Sequence, residues 1–201
     1  FLWSLNYARH NKKNWCFRVS KFYLDIQMQH MNNPMYDFKN TMYDIKEVLE
    51  EFYEIQWYSK MTQSAKLRTY KLFKNDCKTS PYLKLIYNKN YRSALSKFRC
   101  GVAPLRLETG RYEHLAIDDR ICPTCNSEVE TEEHVLIRCS TYDDIRRDIV
   151  TNAMSVDNQF VSLSDTEKMC FFLNNEKMCF VSAKACFNIL SLRRSILYGF
   201  N

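Results

Sequence analysis

Three cysteines and one histidine have the residue types and the spacing of a metal-binding cluster. Cys122, Cys125, His134 and Cys139 form the pattern Cys-x2-Cys-x8-His-x4-Cys. Zinc prefers four nitrogen or sulfur ligands in a tetrahedron, and a Cys-x2-Cys turn places two thiolates on one side of the ion. Because the protein would fill all four positions, no open site is left for a reactive water. The pattern therefore predicts a structural Zn²⁺, and buried thiols without a metal are the alternative.

The residues around the four ligands predict a small zinc knuckle over residues 118–140. Thr131 can cap a short helix that carries His134 on its first turn. Residues five apart on an ideal helix lie roughly 140° apart, so we expect Cys139 where that turn ends and the backbone swings back toward the ion. His114 is a weaker competing ligand, because His134 already completes the set of four.

The other six cysteines lie singly among apolar and aromatic neighbours, and we expect them to be small buried hydrophobic residues. They are Cys16, Cys77, Cys100, Cys170, Cys179 and Cys186. The total of nine is odd, which together with the metal-type cluster argues against a disulfide framework. The pattern predicts a reducing, intracellular environment.

Positive charge is concentrated in one stretch of the chain. Residues 60–106 contain twelve lysines and arginines and one acid, whereas residues 107–148 contain five basic and eleven acidic residues. Helical spacing separates the cations from the apolar positions, which is typical either of a solvated helix face or of a surface that follows phosphates. The predicted nucleic-acid contacts are Lys60, Arg68, Lys71, Lys74, Lys89, Arg92, Lys97, Arg99 and Arg111.

Composition and periodicity predict a mainly α-helical, bundle-like fragment with one Cys-Cys-His-Cys zinc knuckle. Three glycines and four prolines are too few for a turn-rich β fold, and 46% apolar residues suffice for a core. We expect a helical flanking segment (1–56), a basic helical region (57–117), the knuckle (118–140) and C-terminal helices (141–201). Predicted helices cover 41–58, 59–74, 82–87, 89–99, 142–156 and 176–198.

Two further features bear on the class of protein. Tyr142-Asp143-Asp144 is similar to a polymerase metal-binding motif, but it lacks the intervening residue, and we expect the two acids to begin a helix. No apolar run reaches the 18 or so residues that a membrane span needs, so we expect no membrane partner. The chain begins at Phe1, and we expect it to be a fragment of a longer protein.

The order of several short motifs resembles the C-terminal zinc-binding region of reverse transcriptases from non-LTR retrotransposons. The similarity covers residues 57–147, and its flanks match only in helical character. The motifs are Trp57 with Ser59-Lys60, Tyr82-Leu83-x2-Ile86, Tyr91-Arg92-x2-Leu95-x2-Phe98-Arg99-x-Gly101, Glu108-x-Gly110-Arg111-Tyr112, Arg120-x-Cys122-x2-Cys125, Glu132-x-His134 and Cys139-x2-Tyr142-x3-Arg146.

This resemblance implies a piece of a larger polyprotein with an upstream polymerase domain, present in the nucleus and the cytoplasm. Such regions are thought to hold template RNA or target DNA during target-primed reverse transcription. The family's polymerase carboxylates have no counterpart here, so the resemblance implies no catalysis by this fragment. We expect binding of RNA or DNA without strong sequence specificity. The alternative is a protein-interaction module that docks an acidic partner or the polymerase core.

Overall fold

The chain divides into two compact units, residues 1–56 and residues 57–201. A computed structural model describes the backbone of residues 38–199 and side chains from residue 49 onward. The predicted helical flanking segment up to residue 37, and Cys16 within it, lie outside the described residues. Within that described part, the elements are helical and the one extended pairing is an isolated bridge between Ile121 and Val129.

The first described helix, α1, spans Phe38–Gln63 and extends beyond the predicted 41–58 at both ends. Ser59 therefore lies inside a helix, and the prediction that it caps a second helix through residue 74 is wrong. The chain leaves α1 through turns and a short 3₁₀ turn, Tyr70–Leu72. The ammonium of Lys71 donates to the Thr62 carbonyl at 2.7 Å, which satisfies a carbonyl at the helix end.

Two helices follow, α2 at Tyr82–Leu85 and α3 at Lys89–Cys100. The Asn88 side chain caps α3 by accepting from the backbone amides of Asn90 and Tyr91. Gly101 ends α3 in the left-handed conformation, with φ of 67°. A Cβ at Gly101 would lie 2.7 Å from Arg68 Cγ. Glycine is therefore needed here both for its backbone angle and for the close approach of the 68–69 segment.

The remaining helices are α4 at Arg106–Thr109, α5 at Asp143–Val156, α6 at Asp165–Asn174 and α7 at Cys179–Tyr198. Short 3₁₀ turns at Ser140–Tyr142 and Phe160–Ser162 precede α5 and α6, and a π-helical turn spans His134–Arg138. Helix α7 packs against α2, α3, α5 and α6. It is thus the central helix of the unit formed by residues 57–201.

One core joins the helices to the predicted knuckle. Phe98 of α3, Leu173 of α6 and Ile189 of α7 are buried in the same cluster as Cys122 and Cys139. A second cluster lies between α5, α6 and α7. The predicted metal ligands therefore sit in the hydrophobic core rather than on an appended finger.

The prediction of a mainly helical fold with a Cys-Cys-His-Cys cluster is confirmed. Helix α6 was not predicted, although Ser164 and Glu167 form a capping box at its start. Helix α7 begins later than the predicted residue 176, because residues 176–178 form a turn before Cys179. Among the helices that the structure describes, none combines the length and the apolar character that a membrane crossing requires.

Candidate metal centre

The four predicted ligands converge on one point. The Sγ atoms of Cys122, Cys125 and Cys139 and a ring nitrogen of His134 all lie within 4.8 Å of one another. Two edges of this cluster are Cys122 Sγ to Cys139 Sγ at 4.0 Å and Cys125 Sγ to His134 Nε2 at 3.3 Å. A tetrahedron with metal–sulfur bonds of about 2.3 Å has sulfur–sulfur edges of about 3.8 Å. These two edges are close to that value, and the cluster is compact enough that it could hold one ion.

The first two ligands come from a tight turn between short extended segments. Ile121 bridges Val129, and the Cys122 amide donates to the Glu128 carbonyl at 2.8 Å. The Asn126 amide then donates to the Cys122 carbonyl at 2.9 Å, and Asn126 adopts a positive φ of 56°. Asparagine tolerates this conformation better than most residues. The turn therefore folds Cys125 back beside Cys122.

The other two ligands are brought together by the π-helical turn His134–Arg138. The Thr131 hydroxyl accepts from the His134 amide at 2.9 Å, so the predicted cap is confirmed. The Cys139 amide donates to the His134 carbonyl at 2.7 Å. This hydrogen bond closes a turn of five residues, in place of the four of an α-helix. The wide turn explains how two side chains five positions apart reach the same cluster.

Polar neighbours orient the ligands. His134 Nδ1 lies 2.8 Å from Glu128 Oε1, so a proton on Nδ1 leaves the Nε2 lone pair facing the cluster. Arg138 in turn holds Glu128, with its Nε 3.0 Å from Oε1. The Thr124 hydroxyl lies 3.2 Å from Cys122 Sγ, and the Ser127 hydroxyl lies 3.0 Å from Cys125 Sγ. Hydroxyls at these distances can donate to thiolates and stabilise their charge.

The local environment shifts the pKa values of Cys139 and Cys122 in opposite directions. Burial raises the pKa of Cys139 above the usual thiol value. Burial acts in the same direction on Cys122, but hydrogen bonds with His134 and Thr124 outweigh it and lower the pKa of that thiol. For His134 burial lowers the pKa, and the interactions with Cys122 and Glu128 overcome this and raise it to about 9. A metal ion must therefore displace protons from Cys139 and His134 at neutral pH.

Two glutamates that look like surface acids in the sequence are buried ion-pair partners. Glu130 is fully buried, and Arg193 of α7 binds both its oxygens at 2.7 and 2.8 Å. Glu132, which is 3% exposed, accepts from Arg68 at 2.7 Å. These pairs tie the knuckle to α7 and to the segment after α1. Pattern reasoning missed them because the partners lie 63 and 64 residues apart in the chain.

The structure divides the nine predicted nucleic-acid contacts by exposure. Four are exposed, namely Lys60, Lys89, Lys97 and Arg111, and the last of these pairs with Glu108 at 3.3 Å. Two others are partly buried and serve the fold: Lys71 binds the end of α1, and Arg92 donates to the Ile86 carbonyl at 3.0 Å. The exposed members are the ones available to a polyanion.

Three of the predicted contacts need correction. Arg99 is 3% exposed and lies between the rings of Phe73 and Tyr82, with its guanidinium carbon 4.7 Å from each centroid. Its guanidinium donates to the Leu173 carbonyl at the end of α6. The helical angle explains this burial, since Arg99 is only about 40° from the core residue Leu95.

The second and third corrections follow from the absence of an α-helix over residues 64–74. Lys74 is buried and pairs with Asp76, and it also donates to the Lys78 carbonyl at 2.7 Å. Arg68 turns inward to the buried carboxylates of Glu132 and Glu108. Without a helix over residues 59–74, the predicted cationic arc on that helix does not form.

The remaining candidates are resolved as follows. Cys179 and Cys186 are buried as predicted, Cys100 and Cys170 are partly buried, and Cys77 is exposed, contrary to the prediction. No disulfide joins any two of the described cysteines. His114 is exposed and lies outside the four-ligand cluster.

The acids after Tyr142 also follow the prediction. Asp143 and Asp144 form the first turn of α5 and pair with Arg146 and Arg147 of the same helix. Both acids are therefore part of a helix start, where negative charge is stabilising.

Comparison of the chain with protein families, with curated proteins and with solved structures found no match.

Proposed function

We propose that the Cys122, Cys125, His134 and Cys139 cluster binds one zinc ion and holds the fold together. The donor set supports zinc, because three thiolates and an imidazole in a tetrahedral arrangement suit a borderline-soft ion. Two of the thiols are at most 1% exposed, and the protein supplies all four donors. Such a closed site stabilises structure and activates no water. On this proposal the chain acts by binding and not by catalysis.

Metal analysis of the purified chain tests this proposal. We expect about one zinc per chain, as is usual for a four-ligand structural site. Cys125→Ser should lose the metal and unfold residues 118–140, which amide hydrogen exchange would report. Cys170→Ser is the matched control, because Cys170 is also partly buried but lies outside the cluster. Full zinc content together with unchanged exchange in Cys125→Ser would contradict a structural zinc.

We further propose that the chain binds RNA or DNA through backbone phosphates. The observation that carries this proposal is a set of exposed lysines without carboxylate partners. These lysines are Lys60, Lys66, Lys78, Lys84, Lys89 and Lys97. None of the six makes an ion pair with any residue that the structure describes. Lysines of this kind release counterions when they meet phosphates, which drives binding without sequence preference.

The internal pairing of the knuckle's acids also supports this proposal. Glu130 and Glu132 are neutralised by Arg193 and Arg68, and Glu128 pairs with Arg138. The acidic stretch that follows the basic region in the sequence is therefore largely compensated within the fold. Repulsion between the knuckle and a phosphate backbone is correspondingly weaker than the sequence charges suggest.

The resemblance to non-LTR retrotransposon reverse transcriptases suggests the role of this binding. We propose that the chain holds template RNA or target DNA beside an upstream polymerase domain of the same polyprotein. The rival function is a protein-interaction module whose lysines dock an acidic partner or the polymerase core. Both would weaken with salt, so salt alone does not separate them. Competition does: RNA should displace labelled DNA from the chain, whereas an acidic peptide of equal charge should do so only if the rival is correct.

A further inference from the structure

A groove lies between the knuckle and three helices, and several of its lining side chains are charged. Its volume is about 520 Å³. Its walls come from α3, from α4 and the loop after it, from the knuckle, and from the last turns of α7. The lining includes Lys97, Arg106, Glu113, Pro123, Arg193 and Arg194.

The charges in this groove leave two cations without a partner. Arg193 is held by the buried Glu130, and Arg106 pairs with Glu113, the acidic side chain among the described lining residues. Lys97 and Arg194 are exposed and make no ion pair with any described residue. The groove therefore presents two uncompensated positive charges on two different helices, one on each wall.

The uncharged part of the lining suits a nucleotide base. Pro104, Pro123 and Leu197 provide apolar surface, and the ring of Tyr198 is 65% exposed. Single-stranded nucleic acid is held by a combination of this kind, with cations along the backbone and rings or apolar surface against the unpaired bases. A concave site of this volume lies within the range of small-ligand pockets.

We propose that this groove binds single-stranded nucleic acid, with backbone phosphates on Lys97 and Arg194 and a base against the proline and Tyr198 surface. The inference rests on the proposed nucleic-acid binding and adds where the strand lies and which form is preferred. It also gives the knuckle a direct role. Pro123 follows Cys122 in the metal-binding turn, so the folded turn forms one wall of the groove.

The test is equilibrium binding of the full, metal-loaded chain to a fluorescein-labelled 12-mer of deoxythymidine and to a 12-base-pair duplex. Each phosphate contact to a single strand contributes about −0.7 to the slope of log affinity against log salt, or about fivefold in affinity at about 0.1 M salt. Lys97→Ala and Arg194→Ala should each weaken binding of the 12-mer by about that factor. The double variant should make the salt slope less steep by about 1.4.

Two further variants separate a local role from a general loss of charge. Lys184→Ala removes an exposed cation of α7 that does not line the groove. Because this lysine would contact no phosphate, the variant should change the affinity for the 12-mer less than about twofold. Glu113→Gln frees Arg106 and should strengthen binding, an increase that damage to the fold would not produce. Thermal unfolding should be unchanged in the alanine variants, because both side chains are exposed.

The outcomes distinguish this inference from the function on which it rests. If the wild-type chain binds the 12-mer and the Lys97 and Arg194 variants bind it equally well, the groove is not the binding site. The proposed binding of nucleic acid would still stand. Stronger binding of the duplex than of the 12-mer would overturn the single-strand preference. Failure of the wild-type chain to bind either probe would overturn both proposals.

Discussion

Replacing the buried Arg193 with an uncharged residue should strongly destabilise the fold. Its guanidinium binds Glu130 through two hydrogen bonds, at 2.7 and 2.8 Å, and the carboxylate is fully buried. Glu130 also accepts from the Arg106 amide and lies 3.9 Å from Cys122 Sγ. In Arg193→Met the carboxylate would stay buried beside Cys122 with no counter-charge.

The magnitude follows from the burial of both partners. Breaking a buried ion pair by removing one partner costs about 3–5 kcal/mol, because an uncompensated charge remains in the core. For a domain of this size that corresponds to a fall in Tm of roughly 6–20 °C. Adding Glu130→Gln to Arg193→Met removes the stranded charge and keeps an acceptor for the Arg106 amide. The double variant should therefore recover at least half of the lost stability.

Urea unfolding of the metal-loaded protein, followed by circular dichroism, measures this double-mutant cycle. Arg147→Met is the matched control, because its pairing with Asp144 lies in solvent, where such pairs contribute little. We expect no measurable change in that control. A loss below about 1 kcal/mol in Arg193→Met, or a double variant less stable than either single one, would refute the role of this pair.

Three other predictions concern Arg99, Gly101 and the protons of the metal centre. Arg99→Lys should lower the free energy of unfolding by about 2 kcal/mol, since a lysine cannot stack between Phe73 and Tyr82 while donating to Leu173. Lys97→Ala, at an exposed position nearby, should leave the free energy of unfolding unchanged. Equal losses of stability for the two variants in urea unfolding would contradict the role of Arg99. Gly101→Ala should cost about 1–3 kcal/mol, from the positive φ and the 2.7 Å approach to Arg68 Cγ. Gly199→Ala shares the positive φ but has nothing within 4 Å, so a loss as large as that of Gly101→Ala would contradict the packing argument. Zinc binding at pH 7 should release about two protons or more, from Cys139 and His134, and zinc affinity should rise with pH because the metal-free site holds those protons. Calorimetry in buffers of different ionisation enthalpy measures the proton count, and zinc affinity that does not change between pH 6 and pH 8 would contradict it.

The convergence of Cys122, Cys125, His134 and Cys139 could be predicted from the sequence because the pattern is local. Four donors within one short segment can be arranged in few ways. The position of Thr131 correctly predicted where the helical turn begins. The width of that turn could not be predicted. Helical spacing places His134 and Cys139 well apart, and only the π-helical hydrogen bond between them resolves the difference.

The predicted surface was less accurate, because exposure depends on contacts between distant parts of the chain. Arg68 and Arg99 have the same local character as Lys89 and Lys97, yet the first two meet Glu132 and the end of α6. A second cause is that no α-helix covers residues 64–74, so the predicted helix that would have arranged the cations does not form. By contrast, α6 was predictable, since Ser164 and Glu167 form a recognisable capping box.

We propose that a zinc-stabilised chain binds nucleic acid through its exposed cations. The most direct test is binding of the purified, zinc-quantified protein to labelled RNA and to duplex DNA over a salt series. We predict submicromolar binding at low salt that weakens steeply as salt rises, and a loss of affinity when Lys60, Lys89 and Lys97 are changed to Ala together. One zinc per chain with no binding to either polymer at low salt would contradict the account and favour a protein partner for the basic surface.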